Sequence, residues 1–311
     1  MPRRPRLFEP NIVYDATVQT VDRQFLLKPT PEVTNIVGAC LGRAQRAFPV
    51  DIHYALANVN HPHLGVSAPE ERLRHIEPFF NLSQSLLARE LNRHWHRKGP
   101  LWMSRIHISP CVSDDKAEER LDYAMTNPVK DGLVDQLSRY PGFSTYRELA
   151  RGEAQRYFYF DRTAWWRQGG PSGRRRLEEF IEWVSLEVSP LPHLQGLTLP
   201  QCQSRFRHRL RELEERFREA RREAERTVFG VKNLRQLDHR QRPRSDHRRD
   251  VQPLCHASTV EDAVEYEVRY RQTQRVRMAA SLAFRQGRFD VEFPPGTFPP
   301  PLKTMYYASL L

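Results

Sequence analysis

His61-Pro62-His63 offers two imidazoles separated by one residue. On an extended segment, residues two apart point to the same face, so the pair can share a divalent ion if this stretch is a strand. A pair this short is also common as ordinary surface or core histidine. Farther along, Tyr123 and Asn127 stand four residues apart in LDYAMTNPVK, 121–130. That spacing puts them on one face of a helix end. A phenol there can act as nucleophile, and the amide oxygen can complete a metal shell. The plainer alternative is a packed tyrosine and a capping asparagine before a proline.

The elements that must position these residues alternate between strand and helix. Asn11–Val21 is rich in β-branched residues and reads as a strand. Thr30-Pro31 opens a helix over Glu32–Phe48. Asp51–Val59 and His63–Ser67 read as an antiparallel pair joined by a turn at Asn60-His61-Pro62. Leu73–His96 has the apolar spacing of a long helix, with Pro78 as a break in its early part and Gly99-Pro100 as its stop. Leu101–Val112 reads as a strand bent at Pro110, and Asp115–Thr126 as a helix ended by Asn127-Pro128. The expected class is α+β, a small antiparallel sheet flanked by helices.

Around residue 150 the texture changes. Tyr157–Phe160 and Trp165-Trp166 are aromatic clusters, Arg174–Leu186 reads as helical, and 235–250 reads as a basic loop. Ser204–Thr227 is a long charged helix with an apolar stripe at Phe206, Leu210, Leu213, Phe217, Ala220 and Ala224. The stripe fits a helix laid on its own domain better than a coiled-coil seam, and a homodimer is left open. Glu261–Arg285 is again helical, and the end is proline-rich. The expected division is a first domain over 1–150 and a basic, mainly helical extension over 151–311.

The 311 residues carry a net charge of +11, which favours a polyanionic partner. Residues 1–150 have a net charge of +2 and residues 151–311 one of +9. Arginines 205, 207, 209, 211, 216, 218, 221, 222 and 226 can track a phosphate backbone. They can equally be laced into ion pairs such as Glu212–Arg216 and Glu214–Arg218. Arg93, Arg97, Lys98, Arg105 and Lys130 are the nucleic-acid contacts expected in the first half. Cys40, Cys111, Cys202 and Cys255 form no CxxC pair, so a zinc ribbon is not implied. With no long apolar run and no signal-like start, the expectation is a cytoplasmic protein without a membrane partner.

Taken together, the motifs resemble the REP-associated tyrosine transposases, an IS200-like group within the HUH single-strand nucleases. NVNHPHLGV at 58–66, GPLWMSRI at 99–106, DYAMTNPVKDGLV at 122–134 and YPGFSTY at 140–146 follow that family's motifs in order and spacing. The opening PRRPRLFEPNIVYDATVQT also looks like the family's start, so the resemblance covers about residues 3–150. It implies His61, His63 and Asn127 as ligands of Mg²⁺ or Mn²⁺, and Tyr123 as the nucleophile. It further implies a 5′-phosphotyrosine intermediate formed on single-stranded DNA beside hairpins, and a ferredoxin-like HUH nuclease core. PLCHAS at 253–258 and FPPGTF at 293–298 echo longer members.

The chain departs from the pattern at Pro62, where a bulky apolar residue is usual, and at Val59, Met103 and Asp15. The proline is expected to cost the adjoining strand ladder one hydrogen bond. Two rivals stand beside the active strand transferase. One is a domesticated, catalytically weak or inactive nucleic-acid-binding protein with the same fold. The other is a metal hydrolase that uses water in place of tyrosine.

Overall fold

A computed structural model describes residues 5–243 and 253–300; the basic loop expected over 235–250 lies outside them beyond residue 243. Four strands form an antiparallel sheet in the order β2-β3-β1-β4: β1 is Val13–Thr17, β2 Asp51–Ala57, β3 Pro62–Ser67 and β4 His107–Cys111. Helices α1 (Pro31–Ala47), α2 (Leu73–His94) and α3 (Asp114–Lys130) flank it, so the class is α+β.

Strand alternation sends neighbouring side chains to opposite faces. Tyr14, Ala16, Ala55, Leu64 and Val66 enter the core shared with α1 and α2. Val13, Tyr54, Leu56 and Cys111 enter a second core under α3. A bulge between Ile52 and Tyr54 resets the alternation of β2, and the extra residue, His53, is fully buried. Its Nε2 lies 2.8 Å from Ser67 Oγ and its Nδ1 3.1 Å from the Ser189 carbonyl. Thr17 and Leu56 are both paired with His63, which fixes that histidine on the α3 face.

Two prolines expected to interrupt helices do not. Pro78 lies inside α2 and Pro128 inside α3. An internal proline costs about 3 kcal/mol. Next to Pro78, Ile76, Phe79 and Phe80 are fully buried, and each such side chain contributes about 1.5–3 kcal/mol. Met125 and Val129 play the same part around Pro128. That helix ends one turn later, where Gly132, at φ +68°, donates to Val129 O and Leu133 donates to Pro128 O.

The second half adds α4 (Tyr146–Arg151), β5 (Arg156–Phe160), α5 (Arg162–Arg167), β6 (Ile181–Ser185), α6 (Leu199–Glu223), α7 (Val231–Gln236) and α8 (Val260–Arg285). The helix expected over Arg174–Leu186 is a single 3-10 turn followed by β6. Its apolar spacing suits a helix, but Tyr157–Phe160 supplies a strand to pair with, in register Tyr157↔Val184 and Phe158↔Trp183. Cross-strand pairs of this kind override weak local preference. The strand expected over Leu101–Val112 shortens to β4, with only an isolated bridge from Trp102 to Thr20 before it.

The β5–β6 hairpin packs on α1. It fits because α1 carries Gly38 and Gly42, four residues apart. A Cβ on Gly38 would stand 2.4 Å from the Tyr157 ring, and one on Gly42 would stand 2.7 Å from Ser185 O. Helix α6 lies on α3 and α4, with Phe206 and Leu210 buried. Gly38→Ala is expected to destabilise the protein by about 1–3 kcal/mol through overpacking. Gly196→Ala, where nothing lies within 4 Å, should leave the urea midpoint in place.

Candidate active site

The first strand pair ends in a tight turn in which Asn58 N–H donates to His61 O at 2.9 Å. This turn places His61 just before β3 and His63 one residue into it. Helix α3 crosses the same sheet face and brings Tyr123 and Asn127 down onto the pair. The imidazole centroids of His61 and His63 are 4.8 Å apart, and those of His63 and Tyr123 are 5.5 Å apart, both edge to face. Asn127 Nδ2 lies 3.1 Å from His63 Nε2. The four residues singled out in the sequence therefore form one cluster.

Hydrogen bonds to unambiguous backbone groups fix how these rings are oriented. Asn60 Nδ2 donates to the Arg23 carbonyl at 3.2 Å, so its Oδ1 faces His61 Nδ1 at 2.7 Å. His61 then donates from Nδ1 and keeps a lone pair on Nε2. Val59 N–H donates to Asn58 Oδ1 at 2.9 Å, and Asn58 Nδ2 donates to Asn127 Oδ1 at 2.8 Å. The Asn127 amide must then point its NH₂ at His63, whose proton lies on Nδ1. That Nδ1 is buried and has no hydrogen-bond partner.

Burial pushes the His61 imidazole down to about 3, helped by His63 and Arg23. Burial likewise lowers His63 to about 4, with Arg120 adding to the effect and Asp15 opposing it. Both rings are neutral at pH 7, as metal ligation requires. Two neutral imidazoles suit Mn²⁺ better than Mg²⁺, which prefers oxygen donors. Among the described residues no group of three or more His, Cys, Asp or Glu converges on a point that could hold a metal. An ion here would rest on the two imidazoles and the amide, and Asn127 can offer its oxygen only after turning away from Asn58.

Sequence reasoning named Lys130 but missed Arg120, the other charge beside Tyr123. Arg120 lies over its ring at 4.4 Å and Lys130 at 4.8 Å. Arg120 is held by Asp15 at 2.9 Å, and Asp15 also accepts from Tyr54 OH at 2.7 Å. Burial would raise the Asp15 carboxyl, but contact with His256, the Arg120 charge and Tyr54 outweigh it and hold it at about 2. His256 comes from the PLCHAS segment, which bonds to β4 through Pro110 O and Val112 N–H. The spacing of Arg120 and Tyr123 by three residues on a helix was the available signal.

The other expected nucleic-acid contacts lie elsewhere. Arg93 is paired with Glu90, Arg97 with Asn92 and Arg105 with Glu77, while Lys98 is exposed near the end of α2. Only Lys130 of that set joins the cluster. On α6, Arg209 pairs with Glu118 and Asp122, Arg205 joins Glu118 at 2.8 Å, and Arg207 donates to Ala150 O. Glu212 and Glu214 do not take the partners expected for them. Glu212 meets His208, and Glu214 accepts from Leu137 N–H.

Pro62 does not cost the ladder a rung on the β2 side. Its partner Ala57 turns its N–H to Phe143 O and its carbonyl to Tyr140 OH, so no donor from residue 62 is called for there.

No family model matches this chain, and no curated protein does. A solved structure of a REP-associated tyrosine transposase bound to a REP hairpin matches at 24% identity and a TM-score of 0.40. The match covers 49% of this chain and 87% of that one. No described helix is long and apolar enough to cross a membrane.

The neutral histidines make stability depend on pH. Their folded pKa values lie below the ordinary 6.5, so the unfolded chain takes up protons first as pH falls. Stability is full above about 6.5 and is lost on descent toward about 4 and 3. In thermal melts between pH 7 and 4.5, His63→Gln should reduce the slope of Tm against pH. An unchanged slope would mean that His63 protonates freely in the folded state.

Proposed function

We propose that this protein is a single-strand DNA endonuclease or strand transferase in which Tyr123 is the nucleophile. The reading is supported first by one observation: the rings of His61, His63 and Tyr123 meet on the α3 face of the sheet with Asn127 against His63. The ordered motif resemblance over residues 3–150 agrees with it. In this reading residues 1–150 form the catalytic unit and 151–311 its basic extension.

Tyr123 attacks the phosphorus of a phosphodiester in single-stranded DNA next to a hairpin. The bond from phenolic oxygen to phosphorus forms as the bond to the 3′ oxygen breaks. The phenol gives up its proton, the departing oxygen takes one up, and the products are a 5′-phosphotyrosine and a free 3′-hydroxyl. Arg120 and Lys130 flank the tyrosine with positive charge where the phosphate must arrive. His61, His63 and a rotated Asn127 would hold Mg²⁺ or Mn²⁺, which supplies Lewis-acid polarisation of the phosphate.

A second reading, a weakly active or inactive DNA-binding protein with the same fold, is favoured by the amide relay. In it the Asn127 NH₂ occupies the lone pair of His63. One experiment separates the two. Purified protein, hairpin-bearing oligonucleotide and Mn²⁺ should give a covalent adduct that survives denaturation and is absent with Tyr123→Phe. Oligonucleotide binding with no adduct from the unaltered protein would favour the second reading.

A further inference from the structure

The β5–β6 hairpin has a face that the reading above leaves unused. Alternation along the two strands turns Tyr157, Tyr159 and Val184 inward and Arg156, Phe158, Phe160 and Trp183 outward. Phe158 is 46% exposed and Trp183 57%, although the two are directly paired and their rings meet edge to face at 5.9 Å. Phe160 continues the row to Trp165 at 5.8 Å. Two ring pairs on one face, one of them half-exposed, are costly in water and mark a contact surface.

The charges around the row select the partner. Arg156 sits over the Trp183 ring at 5.5 Å and Arg162 over Phe160 at 4.8 Å. The only carboxylate within the two strands, Glu182, is drawn back to Arg43 and Arg46 of α1. Asp161 caps α5 and faces Arg43 as well. Both acidic groups are thus held toward α1, and the outward side chains of the strands are three rings, the Arg156 guanidinium, Ile181 and Ser185, with no carboxylate among them. Flat π-faces interleaved with arginine suit unpaired bases joined by phosphates. Arg162 faces Glu90 at 3.9 Å, but an apolar protein partner would have to strip water from the Arg156 guanidinium without compensation.

We infer that the outer face of the β5–β6 hairpin is a stacking platform for the bases of single-stranded nucleic acid. Trp183 and Phe158 take the bases, and Arg156 takes the backbone. Helix α1 separates this hairpin from the sheet, and the Tyr123 cluster lies on the opposite sheet face. The platform is therefore a second contact along a strand, independent of the chemistry proposed for Tyr123.

The test is fluorescence anisotropy of the full chain with labelled oligothymidylate and oligouridylate, which distinguishes DNA from RNA as the source of the bases. Trp183→Ala should weaken binding by roughly 5- to 150-fold, the usual loss for one stacked base. Arg156→Gln should lower the slope of log affinity against log salt by about 1. Tyr123→Phe should leave the Trp183 effect intact. If Trp183→Ala fails to fold, a bromodeoxyuridine oligonucleotide photo-crosslinked to the unaltered protein reads the same surface. Crosslinks on the β5–β6 peptides support the platform, and crosslinks elsewhere alone overturn it. Unchanged affinity in a folded Trp183→Ala, Phe158→Ala double variant overturns it too. So does a variant effect confined to sedimentation, which would make the face a protein–protein surface.

Discussion

The pairing of Asp15 with Arg120 fixes where α3 sits on the sheet, and the candidate site depends on that placement. Asp15 projects from β1 onto the same face as His63, and Arg120 descends from α3 to meet it. Both are largely withdrawn from water, with side-chain exposures of 4% and 18%. Removing one partner of such a pair leaves a buried charge unmatched and costs about 3–5 kcal/mol. Tyr54 and His256 close the remaining approaches to the carboxylate. With Arg120 held, Tyr123 one turn on must face His63. Asp15, which departs from the motif at the start of the chain, thereby anchors the helix that carries Tyr123.

Much of this geometry was legible because it follows from parity. A spacing of two on an extended segment and of four on a helix states which side chains share a face, which pairs His61 with His63 and Tyr123 with Asn127. That the two pairs meet was implied only by the motif resemblance. What local spacing cannot express is which distant segment completes an element. Arg174–Leu186 has a helical rhythm, yet Ile181–Ser185 within it becomes a strand because Tyr157–Phe160 lies beside it. Pro128 looks like a stop and is carried through because Val129 and Met125 are buried on either side of it. The amide relay was invisible for the same reason. Asn58 and Asn127 are 69 positions apart in sequence.

The arginine-rich half shows how composition and role can separate. A charge excess of this kind suggests phosphate contact, yet Arg205, Arg207 and Arg209 on α6 are engaged by Glu118, Asp122 and the Ala150 carbonyl. The charges of Arg205 and Arg209 meet the acidic side of α3, so they clamp that helix from behind while Asp15 clamps it from the front. Guanidinium forks suit this task because one group can bridge two carboxylates, as Arg209 does with Glu118 and Asp122. Elsewhere the same residue type lies on rings: Arg120 on Tyr123 and Arg156 on Trp183.

The relay through Asn58 also sets a threshold for the site. For a cation to use both His63 Nε2 and the Asn127 oxygen, the Asn127 amide must give up its bonds to Asn58 and His63. Each such bond is worth about 0.5–1.5 kcal/mol net. Losing both would weaken cation affinity by roughly 5- to 150-fold relative to a preformed site. Against that, both imidazoles are already neutral, and His61 is already held with its lone pair on Nε2 by Asn60, so no proton has to leave either ring. The cost of loading therefore lies almost wholly in the rotation of one amide. On the reading proposed for Tyr123, a phosphate placed beside Arg120 and Lys130 would lie against the same amide, so its rotation would not have to be driven by an ion alone. In that reading cation and strand would bind cooperatively, each making good what the other has to break.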